Sequence, residues 1–306
     1  RFDPDAVERV HEQVLSNLRS NEKDPGTIAY QLESARSFGD HPYATDGDGT
    51  IDSVTALTRD DIVAAHKGAL AKDRITIGAA GDITPEQLGA LLDKLFVGLP
   101  DTGAPLPGRA ELNVKGGITV EPFPGPQSVV IFGQGGMRYD NPDYFAASIL
   151  NEALGGGKFD SRLMSEVRVN RGLSYGIGTS LSSYDHAEAM LGQFEASNEN
   201  VAEAIEVIKA EWAKVAADGL TEQELADAKT YMTGAYPLRF DGNDTIAAIL
   251  VGMQDMGLPP DYPKTRNAKV EAVTMADVKR VAAELYKPDD LHFIIVGSPT
   301  GVTPTE

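Results

Sequence analysis

The sequence predicts an α+β fold made of two homologous sandwich domains, each an antiparallel-rich sheet with helices packed on one face, the first of them incomplete. Three observations carry that prediction: an internal repeat, a block of alternating strands followed by helical periodicities, and a Pro- and Gly-rich break between the two copies. The chain has 306 residues, 42% of them hydrophobic, which is enough for two medium-sized cores.

The repeat is read by laying the chain over itself. Val54 to Gly81 aligns without gaps on Val270 to Gly297, and each copy reads as a Thr-capped helix, a short turn and a buried strand ending in Gly. This predicts equivalent central strands at Ile75 to Ala79 and Leu291 to Val296. Upstream, with a shift of two residues, Thr27-Ile28-Ala29 falls on Thr245-Ile246-Ala247, Gly39 on Gly257 and Pro42 on Pro260. The stretch from Pro100 to Gly117 is the linker. The predicted division is therefore residues 1–99 for the C-terminal part of a first domain, 100–117 for the linker, and 118–306 for a complete second domain. The second copy carries roughly a hundred residues, Ile118 to Gly219, ahead of the point where the first begins, so the opening of the first copy is expected to lie before Arg1.

Within the second copy the elements follow in order. Ile118 to Pro122, Gln127 to Gly133, Leu173 to Tyr184 and Glu188 to Ser197 alternate as strands, the last two forming a hairpin across Asp185-His186. Tyr144 to Leu154 and Ser161 to Asn170 read as helices on either side of Gly155-Gly156-Gly157. Val201, Ile205, Ile208, Trp212 and Val215 recur at helical spacing up to Gly219, and Thr221 with Glu224 makes a capping box for the next helix.

Composition excludes several classes of function. A formal net charge of −19 repels phosphate backbones, so nucleic acid is not an expected partner, whereas basic peptides would be drawn to an acidic cleft. The absence of cysteine removes thiolate catalysis, thiolate-held metals and disulfides. No apolar run is long enough to span a bilayer. The five histidines, His11, His41, His66, His186 and His292, include no pair spaced for a metal-binding helix face. Gly172-Leu173-Ser174-Tyr175-Gly176 matches a nucleophile elbow in letters, but its helix precedes the serine and its strand follows, the reverse of what that turn requires. The three glycines lack the Lys-Ser/Thr ending of a phosphate loop; they read as a turn that lets an extended backbone approach closely.

The segment Leu154 to Leu181, LGGGKFDSRLMSEVRVNRGLSYGIGTSL, resembles the second domain of the pitrilysin/insulinase-type zinc peptidases, which include mitochondrial processing peptidase and bacterial two-subunit relatives. Gln127, Asn141-Pro142-Asp143-Tyr144 and Leu150-Asn151 extend the resemblance. His41-Pro42-Tyr43-Ala44, Gly49-Thr50, Leu57-Thr58 and Gly81-Asp82-Ile83 look like that family's first domain. The resemblance implies that a His-x-x-Glu-His zinc motif would lie before Arg1, and that the distant Glu ligand falls on Asn17, a neutral amide. It also implies that Arg168 and Tyr175, in an Arg-then-Leu-x-Tyr pattern, bind substrate opposite a zinc ion, with Gly155, Gly156 and Gly157 beside the peptide.

The resulting expectation is a substrate-binding, non-catalytic subunit of a two-subunit zinc metallopeptidase. It would hold no cofactor of its own and would supply Arg168 and Tyr175 to the zinc of a homologous partner chain. Two alternatives stand beside it: a complete zinc endopeptidase whose zinc motif precedes these residues, and an inert assembly protein. Bacterial relatives of this type are often exported, which points to the periplasm.

Overall fold

The computed structural model describes residues 1–157 and 159–305. In chain order its helices are α1 (Pro4–Asn21), α2 (Pro25–Phe38), α3 (Ile51–Ala56), α4 (Arg59–Ala69), α5 (Pro85–Leu95), α6 (Tyr144–Gly155), α7 (Val201–Asp218), α8 (Glu222–Ala235), α9 (Asn243–Asp255), α10 (Tyr262–Ala272) and α11 (Met275–Leu285). The strands are β1 (Gly117–Pro122), β2 (Gln127–Gly135), β3 (Ser174–Ser183), β4 (Glu188–Ser197) and β5 (His292–Gly297). The α+β class is as the sequence predicts.

The chain divides into two compact units, and neither is a continuous stretch. One comprises Arg1–Arg19, Asp48–Pro107 and Gly234–Arg266; the other comprises Ser20–Gly47, Gly108–Thr233 and Asn267–Glu306. Each unit thus takes one segment from the opposite half of the sequence. The segment around Thr27–Ala29 sits in the second unit, and the segment around Thr245–Ala247, with which the sequence comparison aligns it, sits in the first.

The second unit holds a five-stranded sheet in the order β1-β5-β2-β4-β3, with β1 parallel to β5 and the remaining pairs antiparallel. Its main core lies between one face of the sheet and helices α6, α7 and α11. There Phe132 stacks on Phe293 with centroids 5.4 Å apart, and its edge meets Trp212 at 6.0 Å. Gly192, paired with Phe132 across the ladder, makes room for that ring: a Cβ at this position would lie 2.2 Å from Phe132 Cζ. The helix stripe expected from Val201 to Val215 is fully buried, and Thr221 and Glu224 form the expected capping box.

Three expectations need correction. Helices do not cover one face only, because α2 lies on the opposite face, where Ala29 packs with Ile131 and Val296. Period-2 alternation sends those two strand residues to the side away from Val130, Phe132 and Ile295, leaving an apolar strip for α2 to cover. The helix at Ser161 to Asn170 is largely a π-helix, Met164–Asn170. The strand expected at Ile75 to Ala79 is not formed as a paired strand. A strand exists only as a ladder, and among the described residues every paired strand belongs to the other unit. In the first unit, Gln254 Nε2 on α9 donates to Ile77 O at 2.8 Å, and Gly78 lies so close to α9 that a Cβ would be 2.2 Å from Ala247 O. The small core of this unit is Leu15, Leu18 and Val54.

Candidate functional site

The edge strand β3 and the turn that feeds it build the site. The π-helix ends where Gly172 adopts a φ of +63°, a conformation that suits glycine. Its N–H donates to Arg168 O at 3.0 Å and the Leu173 N–H donates to Val167 O at 2.8 Å. The chain then enters β3 through an irregularity in its register with β4 between Ser174 and Ile177. This bulge turns Tyr175 out of the ladder, leaving it 86% exposed. The π turn and the bulge together set the Arg168 guanidinium over the Tyr175 ring, 4.4 Å from its centroid. The guanidinium also lies over the Phe159 ring, 4.5 Å from its centroid. Phe159 is not legible in the sequence as part of the site; its one signal is an aromatic two residues past the glycines.

Three arginines lie on this segment, and two are neutralised locally. Arg162 holds Glu224 at 2.6 Å, and Arg171 holds Glu166, whose carboxyl is drawn below its usual range by that bond. Among the described residues Arg168 has no carboxylate partner, so its donors are available to a ligand.

Beside this pair opens a cleft of about 850 Å³, lined by Gly155 to Gly157, Tyr175, Ser180, Gln193, Glu195 and Tyr30. It runs along β3, whose outer edge carries unpaired backbone donors and acceptors, the template an extended peptide can extend as an extra strand. Tyr30 on α2 reaches across to hydrogen-bond Gln193 on β4. The three glycines differ in role. Gly155 is packed against β3, where a Cβ would sit 2.4 Å from Thr179 Oγ1, and Gly157, at a φ of +86°, meets nothing nearby. Thr179 Oγ1 donates to Asn151 Oδ1 at 2.9 Å, which ties α6 to the strand behind the loop.

Other sequence candidates are placed elsewhere. Ser174 is buried, and its hydroxyl lies 2.6 Å from Glu195 O and 2.8 Å from Gly176 O, so it secures the bulge. His292 bonds Lys115 O and Thr119 Oγ1, each at 2.9 Å, and burial lowers its pKa. His41 and His186 join Tyr43 and Tyr184 in an aromatic cluster. Asn17 is an exposed residue of α1 in the other unit. Among the described residues no three His, Asp or Glu side chains converge as a metal site, and no helix is long and apolar enough to cross a membrane.

The sequence model of the family described as "Peptidase M16 inactive domain" matches residues 56–232, a range that includes the glycine loop, Arg168 and Tyr175. The chain is 28% identical over 291 residues to an uncharacterized zinc protease of Mycobacterium leprae, covering 92% of this chain and 64% of that protein. It is 25% identical over 301 residues to a non-peptidase homologue of Helicobacter pylori, covering 97% and 69%. The crystal structure of a peptidase M16 inactive domain from Pseudomonas fluorescens superposes with a TM-score of 0.86 at 27% identity, covering 99% of this chain and 73% of that one. The chain thus spans less than two thirds of the length of the M. leprae relative.

Proposed function

The chain belongs to the peptidase M16 inactive domain family, and on that premise we propose that it is the substrate-binding, non-catalytic subunit of a two-subunit zinc peptidase. The observation that carries this reading is the Arg168–Tyr175 stack at the mouth of the β3 cleft. It places a guanidinium fork and a phenol hydroxyl at the end of an edge strand on which a peptide can lie. The fork can hold a peptide oxygen, and the hydroxyl can donate to the oxyanion that forms as a peptide bond is attacked. Hydrolysis itself needs a zinc-activated water, which a homologous partner subunit supplies in this reading.

We propose further that the sequence halves are a duplication, with residues 1–99 and 118–306 as its copies and 100–117 as the linker. Supporting it, Thr58 with Asp61 and Thr274 with Asp277 form equivalent capping boxes. Gly39 and Gly257 share positive φ values of 54° and 63°, as Gly81 and Gly297 do at 144° and 158°.

A second reading, a zinc endopeptidase whose His-x-x-Glu-His segment lies outside these residues, is favoured by the zinc-protease name of the M. leprae relative and by the chain's partial coverage of it. One experiment separates the two. Peptide cleavage is assayed for the chain alone, for a zinc-bearing homologue alone, and for the mixture. The proposal expects turnover only in the mixture, and turnover by the homologue alone at the same rate would overturn it.

A further inference from the structure

We propose that Phe159 is a positioning residue for Arg168, and that the group the two of them select is a carboxylate carried by the bound peptide. The inference rests on the reading of the β3 cleft as a peptide site and names what that site recognises.

A guanidinium offers a ligand two kinds of approach: its flat faces, which stack on π-systems, and its edge, where the N–H donors point. Here the guanidinium carbon lies over two rings, 4.4 Å from the Tyr175 centroid and 4.5 Å from that of Phe159, contacts that a guanidinium makes through its flat surface. Among the described residues no carboxylate takes its N–H edge. Two parallel in-plane donors match two coplanar oxygens, which is the geometry of a carboxylate and not that of a single carbonyl. The electrostatics agree. Arg162 and Arg171 are each paired with a glutamate, whereas among the described residues Arg168 keeps its charge uncompensated. In a protein of net charge −19, an isolated cation with an open edge is a local point for an anion within a field that draws basic peptides.

Phe159 has no packing role that explains it. It is 66% exposed and follows the glycine loop that rims the cleft. Its one described aromatic or charged contact is the Arg168 guanidinium, a cation–π pairing. A long arginine side chain free in solvent would populate many rotamers; contact with two rings narrows that set, so less freedom is lost when the ligand binds.

The test uses the full chain and three fluorescent peptides of one basic sequence: with a free C-terminal carboxylate, with a C-terminal amide, and amidated with an internal Glu. The proposal expects the free acid to bind about tenfold more tightly than the amide, the usual worth of a charge-assisted bidentate contact. Phe159→Ala is expected to weaken free-acid binding about threefold to fivefold, from the loss of one cation–π face. It should weaken amide binding less than free-acid binding, so that the acid preference narrows, at an unchanged melting temperature, and Phe159→Tyr should restore the preference. Recovery of affinity by the Glu-bearing amide would assign the carboxylate to a side chain, and its absence would assign it to the C-terminus; both support the proposal. Equal binding of all three peptides by the unaltered chain overturns carboxylate selection while leaving the peptide site intact. A full acid preference in Phe159→Ala overturns the positioning role. Failure of the unaltered chain to bind any of the three overturns the peptide site itself, and this inference with it.

Discussion

Trp212 on α7 donates its indole N–H to Gln134 Oε1 on β2 at 2.6 Å, in a setting where both side chains are almost wholly buried. The same oxygen accepts from Lys287 N at 3.1 Å, and the Gln134 amide nitrogen donates to Leu285 O. One glutamine thereby joins the sheet, α7 and the end of α11, with each polar atom partnered. Gln134→Leu keeps the volume and strands the indole N–H, an amide N–H and a carbonyl. It is expected to destabilise the protein by about 2 to 4 kcal/mol, since a buried group left without its partner costs about 1 to 3 kcal/mol. Urea unfolding checks this, with a fall in the midpoint at unchanged slope.

Arg162 and Glu224 contribute to the acid sensitivity of the fold. Burial alone would raise the Glu224 carboxyl, but the hydrogen bond from Arg162, those from Thr221 and the charge of Arg162 outweigh it and bring the pKa from 4.5 down to about 2. A group whose folded pKa is depressed contributes stability above its unfolded pKa and loses it as pH falls towards the folded one. The pair is reached by solvent, so its contribution is about 1 to 2 kcal/mol after screening. Melting temperature should fall between pH 4.5 and 2 more steeply in the unaltered chain than in Glu224→Gln. Parallel curves for the two would remove this pair from the account.

The proposed function gives Tyr175 and Arg168 roles that kinetics can separate. In a reconstituted complex, Tyr175→Phe removes one oxyanion donor and should lower kcat by about a hundredfold to a thousandfold. Arg168→Ala should also raise KM, because its contact exists in both ground and transition states. Arg168→Lys is not expected to rescue it, since an ammonium offers neither the fork nor the flat faces that the two rings hold. Tyr175 is exposed, so its variant should melt normally. Near-normal turnover by both variants would favour an assembly role.

Zinc content is the simplest check. With no converging set of His, Asp and Glu among the described residues, the purified chain is expected to retain far less than one zinc per molecule after dialysis. Stoichiometric zinc by elemental analysis would favour a zinc site of the chain's own.

Much of the sheet-bearing unit was legible because its signals are local. Alternation located β2, β4 and the β3–β4 hairpin, and helical spacing located α7, since burial of a regular element imposes its own period on the residues. The failures share a cause. Ile75 to Ala79 has the composition of a strand, yet strands need partners that composition does not reveal. The helical periodicity before Gly172 was read correctly as helix, but the step from α to π spacing leaves no mark in the pattern of apolar residues.

By itself, then, the sequence determined the α+β class, the absence of thiol chemistry and, through one resemblance, the peptidase M16 family. Tertiary structure alone decided that α2 covers the second face of the sheet, that each compact unit borrows a segment from the other half of the chain, and that β3 is an edge. It alone brought the Arg168 guanidinium over both the Phe159 and Tyr175 rings. The division follows from range. Propensity and periodicity act over a few residues, whereas strand order, helix placement and the approach of three side chains across a π turn and a bulge depend on contacts between segments distant along the chain.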